Sequence, residues 1–418
     1  MTAASLSAVH NRPGITVPPH ADLLPDTLEL RAFVPFLIAS IVIAAAYGTS
    51  FLLPDYLKAH GMNSAAAGAI ISSGMVATIV CCCLAGWVAQ RIGVMPTIAV
   101  ASLAMALAML GFAGVAVDAR AAYVGGMLLG VGWSVFFILA PLQIIHHLRP
   151  AARIQYLTIV SGAQMAGLGL ATPLSRLLAQ YTGSVAVVYV MFAAACVAAA
   201  ICVEAARRAM AHAPGLPMTR VAITARETLA LLSERTAAPI AMIVFAACVF
   251  AGLSTYQSVY AESRHLRPDL FFLAFTATSV ALRFSLARVM GRMPVQRLAL
   301  VLFVATAASL ALFIANTGNT LLYVAATVVF ATGYGLSYST LNGMAVNLAG
   351  EQGVSVPVTS QIFTLAYFIG LFGFPFIGGH LIRRSGPNAM LLALLGAVAI
   401  NVVLLATLRV RAAAPAVR

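Results

Sequence analysis

Arg283 is the one ionised side chain that this sequence sets well inside an apolar stretch, following the run Phe271, Phe272, Leu273, Ala274, Phe275. A guanidinium at the centre of a membrane helix costs about 2.5–3.5 kcal/mol unless it is paired or hydrated. Its possible roles are contact with an anionic substrate group, anchoring between helices, or reaching back to the membrane rim. Hydrogen-bonding side chains mixed with aromatics mark other apolar stretches. Tyr334, Tyr338 and Asn342 recur at four-residue steps, and Tyr256, Gln257 and Tyr260 make a similar set. Tyr47 with Ser50, Trp133 with Gln143, Ser161 with Gln164, and Gln361 with Thr364 extend the pattern. Four-residue spacing puts side chains on one side of a helix. Neutral donors and acceptors beside rings suit a small amphipathic organic molecule. For each residue taken alone, helix-to-helix hydrogen bonding is the competing reading.

Acids are placed differently. None of the eleven Asp and Glu residues falls in the middle of an apolar stretch, where a proton relay usually sits. Asp55 and Glu262, near the ends of two stretches, are the nearest candidates for proton coupling, with a solvated helix end as the alternative. No GxxxxGK[ST] loop is present, which argues against ATP-driven chemistry. No nucleophile–base arrangement is recognisable, so the chain is not expected to be an enzyme. The six cysteines, three of them consecutive at Cys81, Cys82 and Cys83, lack metal-site spacing and read as small packing residues. His146 and His147 read as interfacial residues rather than metal ligands. No metal or cofactor is expected.

These residues are carried by a chain that is 62% hydrophobic and 8% charged, with a mean hydropathy of +0.98. Soluble domains carry roughly 25% charged residues, so the surplus apolar surface must face lipid. The net charge of +13 comes mainly from arginines at the ends of apolar stretches, without the interleaved aromatics of a nucleic-acid surface, and nucleic-acid binding is not expected. Twelve stretches approach the ~20 residues that cross a bilayer: 32–57, 65–88, 96–117, 121–145, 156–179, 184–206, 237–262, 269–290, 297–316, 320–347, 356–382 and 388–409. Without water to satisfy a broken backbone, each must be helical. The expected class is therefore an all-α membrane protein of twelve transmembrane helices. Its expected parts are a flexible tail over 1–31, a six-helix bundle over 32–206, a linker over 207–236, a second bundle over 237–409 and a short tail over 410–418. Sixteen Arg residues fall on the side of the termini and linker, against seven Lys and Arg on the other, which sets both termini in the cytoplasm.

The two bundles repeat one pattern. Gly130, Gly132 and Ser134 recur 203 residues on as Gly333, Gly335 and Ser337, and Gly48, Ser50 and Tyr56 recur 204 residues on as Gly252, Ser254 and Tyr260. Internal repeats of hydrophobic segments mark secondary transporters, whose halves enclose a site near the bilayer midplane.

After the second stretch comes Gly86, then Gln90, Arg91 and Gly93, with a degenerate copy at Gly291 and Arg292. This resembles the cytoplasmic loop signature of the major facilitator superfamily: a Gly, an Asp-Arg pair four residues on, then a Gly. The logic is a close-packed small residue beside a charged loop that pins helices in one conformation. Gln90 and Gly291 stand where the acid belongs, so the latch lacks its carboxylate. Gly167, Gly169 and Pro173, echoed by Gly370, Gly373 and Pro375, loosely resemble the Gly/Pro-rich fifth helix of the superfamily's exporters. The resemblance implies two pseudo-symmetric bundles rocking about a cavity lined by spans one, four, seven and ten, and proton-driven export of a small organic molecule from a bacterial inner membrane, by a monomer. Uptake of a small carboxylate, with Arg283 as counter-charge, is the alternative. A non-transporting sensor on the same fold is the third reading.

Overall fold

A computed structural model of the chain describes residues 25–210, 229, 231, 235–285 and 293–413. Those residues are helical, with no strand among them. The helices are α1 (Leu30–Ala59), α2 (Ser64–Ile92), α3 (Val94–Ala116), α4 (Ala119–His147), α5 (Pro150–Thr182) and α6 (Val185–Ala209) in the first half. The second half holds α7 (Ala237–Glu262), α8 (Pro268–Ser285), α9 (Val295–Ala315), α10 (Thr320–Glu351), α11 (Val356–Ser385) and α12 (Pro387–Ala413). Among the described residues, eleven are long and apolar enough to cross a bilayer; the described part of α8, 18 residues with Asp269 and Arg283, is not among them. Successive helices run antiparallel, so α1 begins and α12 ends on one face of the bundle, here the terminal face. The other is the distal face.

Local sequence explains the helix ends. Asn63, Asp118 and Asn319 cap α2, α4 and α10, each side chain accepting a backbone N–H of the first turn. Gly93 joins α2 to α3 at φ 96°, a backbone region open mainly to glycine. Part of the expected flexible tail is fixed: Pro25 accepts from the Arg149 N–H at 3.2 Å, and the Leu28 N–H donates to the Tyr156 hydroxyl at 3.0 Å.

The repeat holds at the level of single contacts. A Cβ on Gly167 would lie 2.3 Å from the Ile41 carbonyl, and one on Gly370 would lie 2.2 Å from the Val244 carbonyl. Both members of each contact are 203 residues apart, so α1 meets α5 as α7 meets α11. Missing side chains let these backbones approach. Helix breaks repeat as well: α1 narrows to a 3-10 turn at Ser50–Leu52, and α7 leaves helical geometry at Tyr256, 204 residues beyond Leu52.

Two seams join the halves. Along α2 and α11 lie Gly68 against Pro375, Gly74 against Phe372, and the Gln361 amide donating to the Cys82 carbonyl at 3.1 Å. Along α5 and α8 lie Arg176 against Asp269, Gly169 against Thr276, and Ser161 against Arg283. The halves are closed together at the distal face. From Val249 to Ala261 every α7 residue except Val259 is buried, as is every α1 residue from Ala46 to Leu57 except Asp55. Towards the terminal face α10 instead leaves Ser339, Asn347 and Gly350 exposed.

Candidate functional site

Both halves contribute to an aromatic belt at mid-depth. Tyr47 of α1 stacks on Trp133 of α4 with ring centroids 4.5 Å apart and meets Phe372 of α11 edge-on at 6.2 Å. Phe137, one turn beyond Trp133, stacks on Tyr367 of α11 at 5.6 Å and touches Tyr338 of α10 edge-on at 5.7 Å. Phe250 of α7 stacks on Tyr334 of α10 at 4.8 Å. Stacked and edge-to-face pairs add about 0.5–1.5 kcal/mol each beyond their buried area. The Tyr47–Phe372, Phe137–Tyr367 and Phe137–Tyr338 contacts therefore join the halves through uncharged rings.

Arg283 reaches this belt from α8. Its Nε donates to the Ser161 hydroxyl of α5 at 3.1 Å and its Nη1 to the Ser279 carbonyl at 3.4 Å. Tyr334 lies within electrostatic reach of Tyr367, Tyr47 and Arg283. Nearby polar atoms are buried without a hydrogen-bond partner among the described residues: Trp133 Nε1, Ser279 Oγ, Asn342 Oδ1 and Gln361 Oε1. Each such group carries a desolvation cost of about 1–3 kcal/mol.

Of the candidate residues read from the sequence, Tyr47, Trp133, Arg283, Tyr334 and Tyr338 come together here, with Asn342 and Gln361 toward the terminal face. Tyr338 is bonded to Thr364 across to α11 at 3.2 Å. Ser50 is buried in the α1 break, and Gln164 is buried on α5 one turn from Ser161. The rest are committed elsewhere. Gln143 sits at the terminal edge, its amide near His147 Nδ1 at 3.4 Å and Met210 sulfur at 3.8 Å. The Tyr256 hydroxyl donates to the Pro375 carbonyl at 2.5 Å and lies 3.3 Å from that of Ser64, wedged where Gly68 and Gly379 leave room. Gln257 donates to the Tyr323 hydroxyl at 2.7 Å. Their physical role is to join α7 to α11, α2 and α10, because the break at Tyr256 turns them away from the belt.

Charges gather at the distal face, around an open cavity of about 640 Å³ lined by Asp55, Lys58, Arg176, Ser258 and Glu262 among others. Lys58 Nζ lies 2.7 and 2.8 Å from the Glu262 carboxylate oxygens. These two residues are 204 apart, so repeat-equivalent positions with opposite charge face each other across the pseudo-twofold. Arg176 binds Asp55 of its own half at 2.5 Å, the Ser258 hydroxyl of the other half at 2.9 Å, and Asp269 of the other half at 3.5 Å. Both acids singled out as proton candidates thus belong to a cross-half ion-pair cluster.

The loop after α2 departs from its expected packing. Among the described residues, a Cβ on Gly86 would meet no heavy atom within 4 Å, so the close packing the motif suggested is not found among them. Gln90 and Arg91 are exposed, and the Arg91 guanidinium lies over the Trp87 ring at 4.4 Å. Gly291 and Arg292 lie outside the described residues. Sequence reasoning also passed over Arg176, Asp269, Phe137, Tyr367 and Phe372. For Phe137 and Tyr367 a signal existed, since each follows a chosen residue by about one helical turn.

A family model described as Major Facilitator Superfamily matches residues 35–370. No curated protein matches the chain by sequence. Among solved structures, the chain is similar to a mutant of the nucleoside transporter NupG, with 14% identity and a TM-score of 0.67 over 91% of this chain and 99% of that one. It is also similar to an auto-inhibited peptide transporter of the POT family, with 12% identity and a TM-score of 0.67 over 91% of this chain and 96% of that one.

Proposed function

This chain belongs to the Major Facilitator Superfamily and carries its transporter fold, and from that premise we propose that it exports a small organic molecule across a bacterial inner membrane by proton-driven alternating access. The observation that carries this reading is the aromatic belt, to which both halves contribute rings and around which buried polar atoms lack partners. A site shared by two halves changes its exposure when the halves rock. The arginine asymmetry of the sequence supports cytoplasmic termini. With the terminal face inside, the conformation described is closed to the outside and receives substrate from the cytoplasm.

The distal cluster supplies a route for coupling. Opening that face parts Lys58 from Glu262 and Arg176 from Asp269. A carboxylate parted from its cation holds a proton more readily, so proton uptake from outside and opening of the gate favour each other. On the terminal side the family latch lacks its acid at Gln90, which leaves the conformational preference to the distal pairs. The test is flux of a substrate panel through proteoliposomes of the purified chain, with and without an imposed pH gradient. Expected is efflux of at least one organic compound that accelerates when its destination compartment is made acidic. Flux driven the opposite way would replace export with uptake. Flux indifferent to the gradient would remove proton coupling.

A further inference from the structure

We infer that the site at the aromatic belt selects a planar aromatic acid, with the carboxylate on Arg283 and the ring among the stacked side chains of both halves. This rests on the transport reading for its cellular meaning but is a statement about binding alone.

The charge balance comes first. Among the described residues, acids lie only near helix ends: Asp55, Asp118, Glu262 and Asp269 towards the distal face, and Asp26, Glu29, Glu204 and Glu351 towards the terminal face. The belt itself holds one formal charge, the half-buried Arg283 guanidinium. Its Nε and Nη1 are used by Ser161 and the Ser279 carbonyl, and among the described residues Nη2 has no hydrogen bond. A charged group held at depth with an unused donor edge favours an anion and penalises a cation.

The donors around it agree. The Ser279 hydroxyl is buried without a partner among the described residues, one turn before Arg283, and Tyr47, Tyr334 and Tyr367 lie within electrostatic reach of one another, Tyr334 also within that of Arg283. Hydroxyls and a guanidinium together suit a carboxylate, whose two oxygens only accept. Unpartnered acceptors are placed apart from that end: Asn342 Oδ1, two turns beyond Tyr334 on α10, and Gln361 Oε1, six residues before Tyr367 on α11. They suit a hydroxyl or amino substituent at the far end of the ring. Between the two ends lie Trp133, Phe137, Tyr338 and Tyr367, packed on one another with ring centroids 5.2–5.7 Å apart, a stack into which a flat ring inserts by parting two of its members.

Aromatic cages also attract cations through their ring faces, which gives the experiment its contrast. The chain has two tryptophans, and Trp87 stands at the exposed end of α2. Trp87→Phe therefore leaves Trp133 as the sole indole reporter. The full-length Trp87→Phe protein in detergent is titrated with 4-hydroxybenzoate, 4-hydroxybenzyl alcohol and 4-hydroxybenzylamine, which share a ring and differ in charge. Expected is saturable quenching of Trp133, with the acid binding at least about tenfold more tightly than the alcohol and the amine weakest. Adding Arg283→Gln should erase the acid's advantage and leave alcohol affinity within about threefold, while Ser161→Ala, which removes only the anchor, should keep the acid preference. Arg283→Lys, in case the glutamine variant does not fold, should reduce the advantage without reversing its sign. Equal or tighter binding of the amine, no quenching by any of the three, or an acid preference that survives Arg283→Gln would overturn the assignment. Acid-selective quenching with no flux in vesicles would instead count against the transport reading and leave this one standing.

Discussion

Replacing Arg176 with glutamine tests the distal gate most directly. Arg176 contributes two contacts that exist only while the distal face is closed, to the Ser258 hydroxyl at 2.9 Å and to Asp269 at 3.5 Å. Hydrogen bonds to charged groups contribute about 1.5–3 kcal/mol each when buried. Here the Arg176 and Asp269 side chains are 27% and 22% exposed, which places the Ser258 bond at or below the lower end of that range, and the Asp269 ion pair, too long to be a hydrogen bond, adds about 0–1 kcal/mol. The loss is then about 2 kcal/mol, or roughly a 30-fold fall in the closed-to-open ratio. Repulsion between Asp55 and Asp269, left facing each other across the seam, acts in the same direction. A population near 100 to 1 would become roughly 3 to 1. Spin labels at Val117 and Leu321 read this out, being 94% and 81% exposed at repeat-equivalent distal positions, one in each half. A long-distance peak should grow from near zero to about a quarter of the population. An unchanged distance distribution in folded Arg176→Gln protein would refute the assignment of the gate to this cluster.

Lys58 and Glu262 are each 62% exposed, so Glu262→Gln should move the same label distances far less than Arg176→Gln; an effect of equal size would contradict the ranking by burial. Gly167→Ala and Gly370→Ala each press a methyl to within 2.3 Å of a backbone carbonyl, and each should lower thermal stability by about 1–3 kcal/mol. Gly86→Ala, with open space around it, should be neutral or raise the melting temperature slightly through helix propensity. Gln90→Asp returns an acid to the loop beside Arg91 and should shift the label populations toward closure of the terminal face, a result checked with labels on that side. Single cysteines at Ala59 and at Ala222 in the linker, in a background without native cysteines, should react from outside and inside respectively, and outside labelling of position 222 would reverse the orientation.

The repeat was the most legible part of the sequence, because a shift of 203 or 204 applies to packing as well as to residue type. It foretold that Gly167 and Gly370 do the same job, and it contained the Lys58–Glu262 pairing, which only the opposite charges disguised. What one-dimensional pattern could not give was the rotation of each helix. Tyr256, Gln257 and Tyr260 look like a cavity face on an unbroken helix, yet the break at Tyr256 turns the first two into α2, α10 and α11. Arg176 and Asp269 were invisible as partners because their meeting depends on how α5 faces α8 across the two halves. The belt was half legible: its chosen members shared periodic faces, while Phe372 and Phe137 passed for ordinary apolar filling. Gly86 is the opposite case, a motif glycine whose expected tight packing is not found among the described residues.

The matching breaks in α1 and α7 give the distal gate a lever arm. Beyond the 3-10 turn, Leu53–Ala59 is a helical tip of 7 residues, about 10 Å long, and the stretch from Gln257 to Glu262 is its counterpart on α7. A kink of 20° is ordinary for a helix with a local fault. Swung through that angle, a 10 Å arm carries its end roughly 3.5 Å. Lys58 and Glu262 ride on these two ends at 2.7 Å, so the swing of one tip alone stretches the bridge beyond contact. The outermost bridge can therefore come undone by bending two short rods at their shared weak point, while the belt below stays stacked.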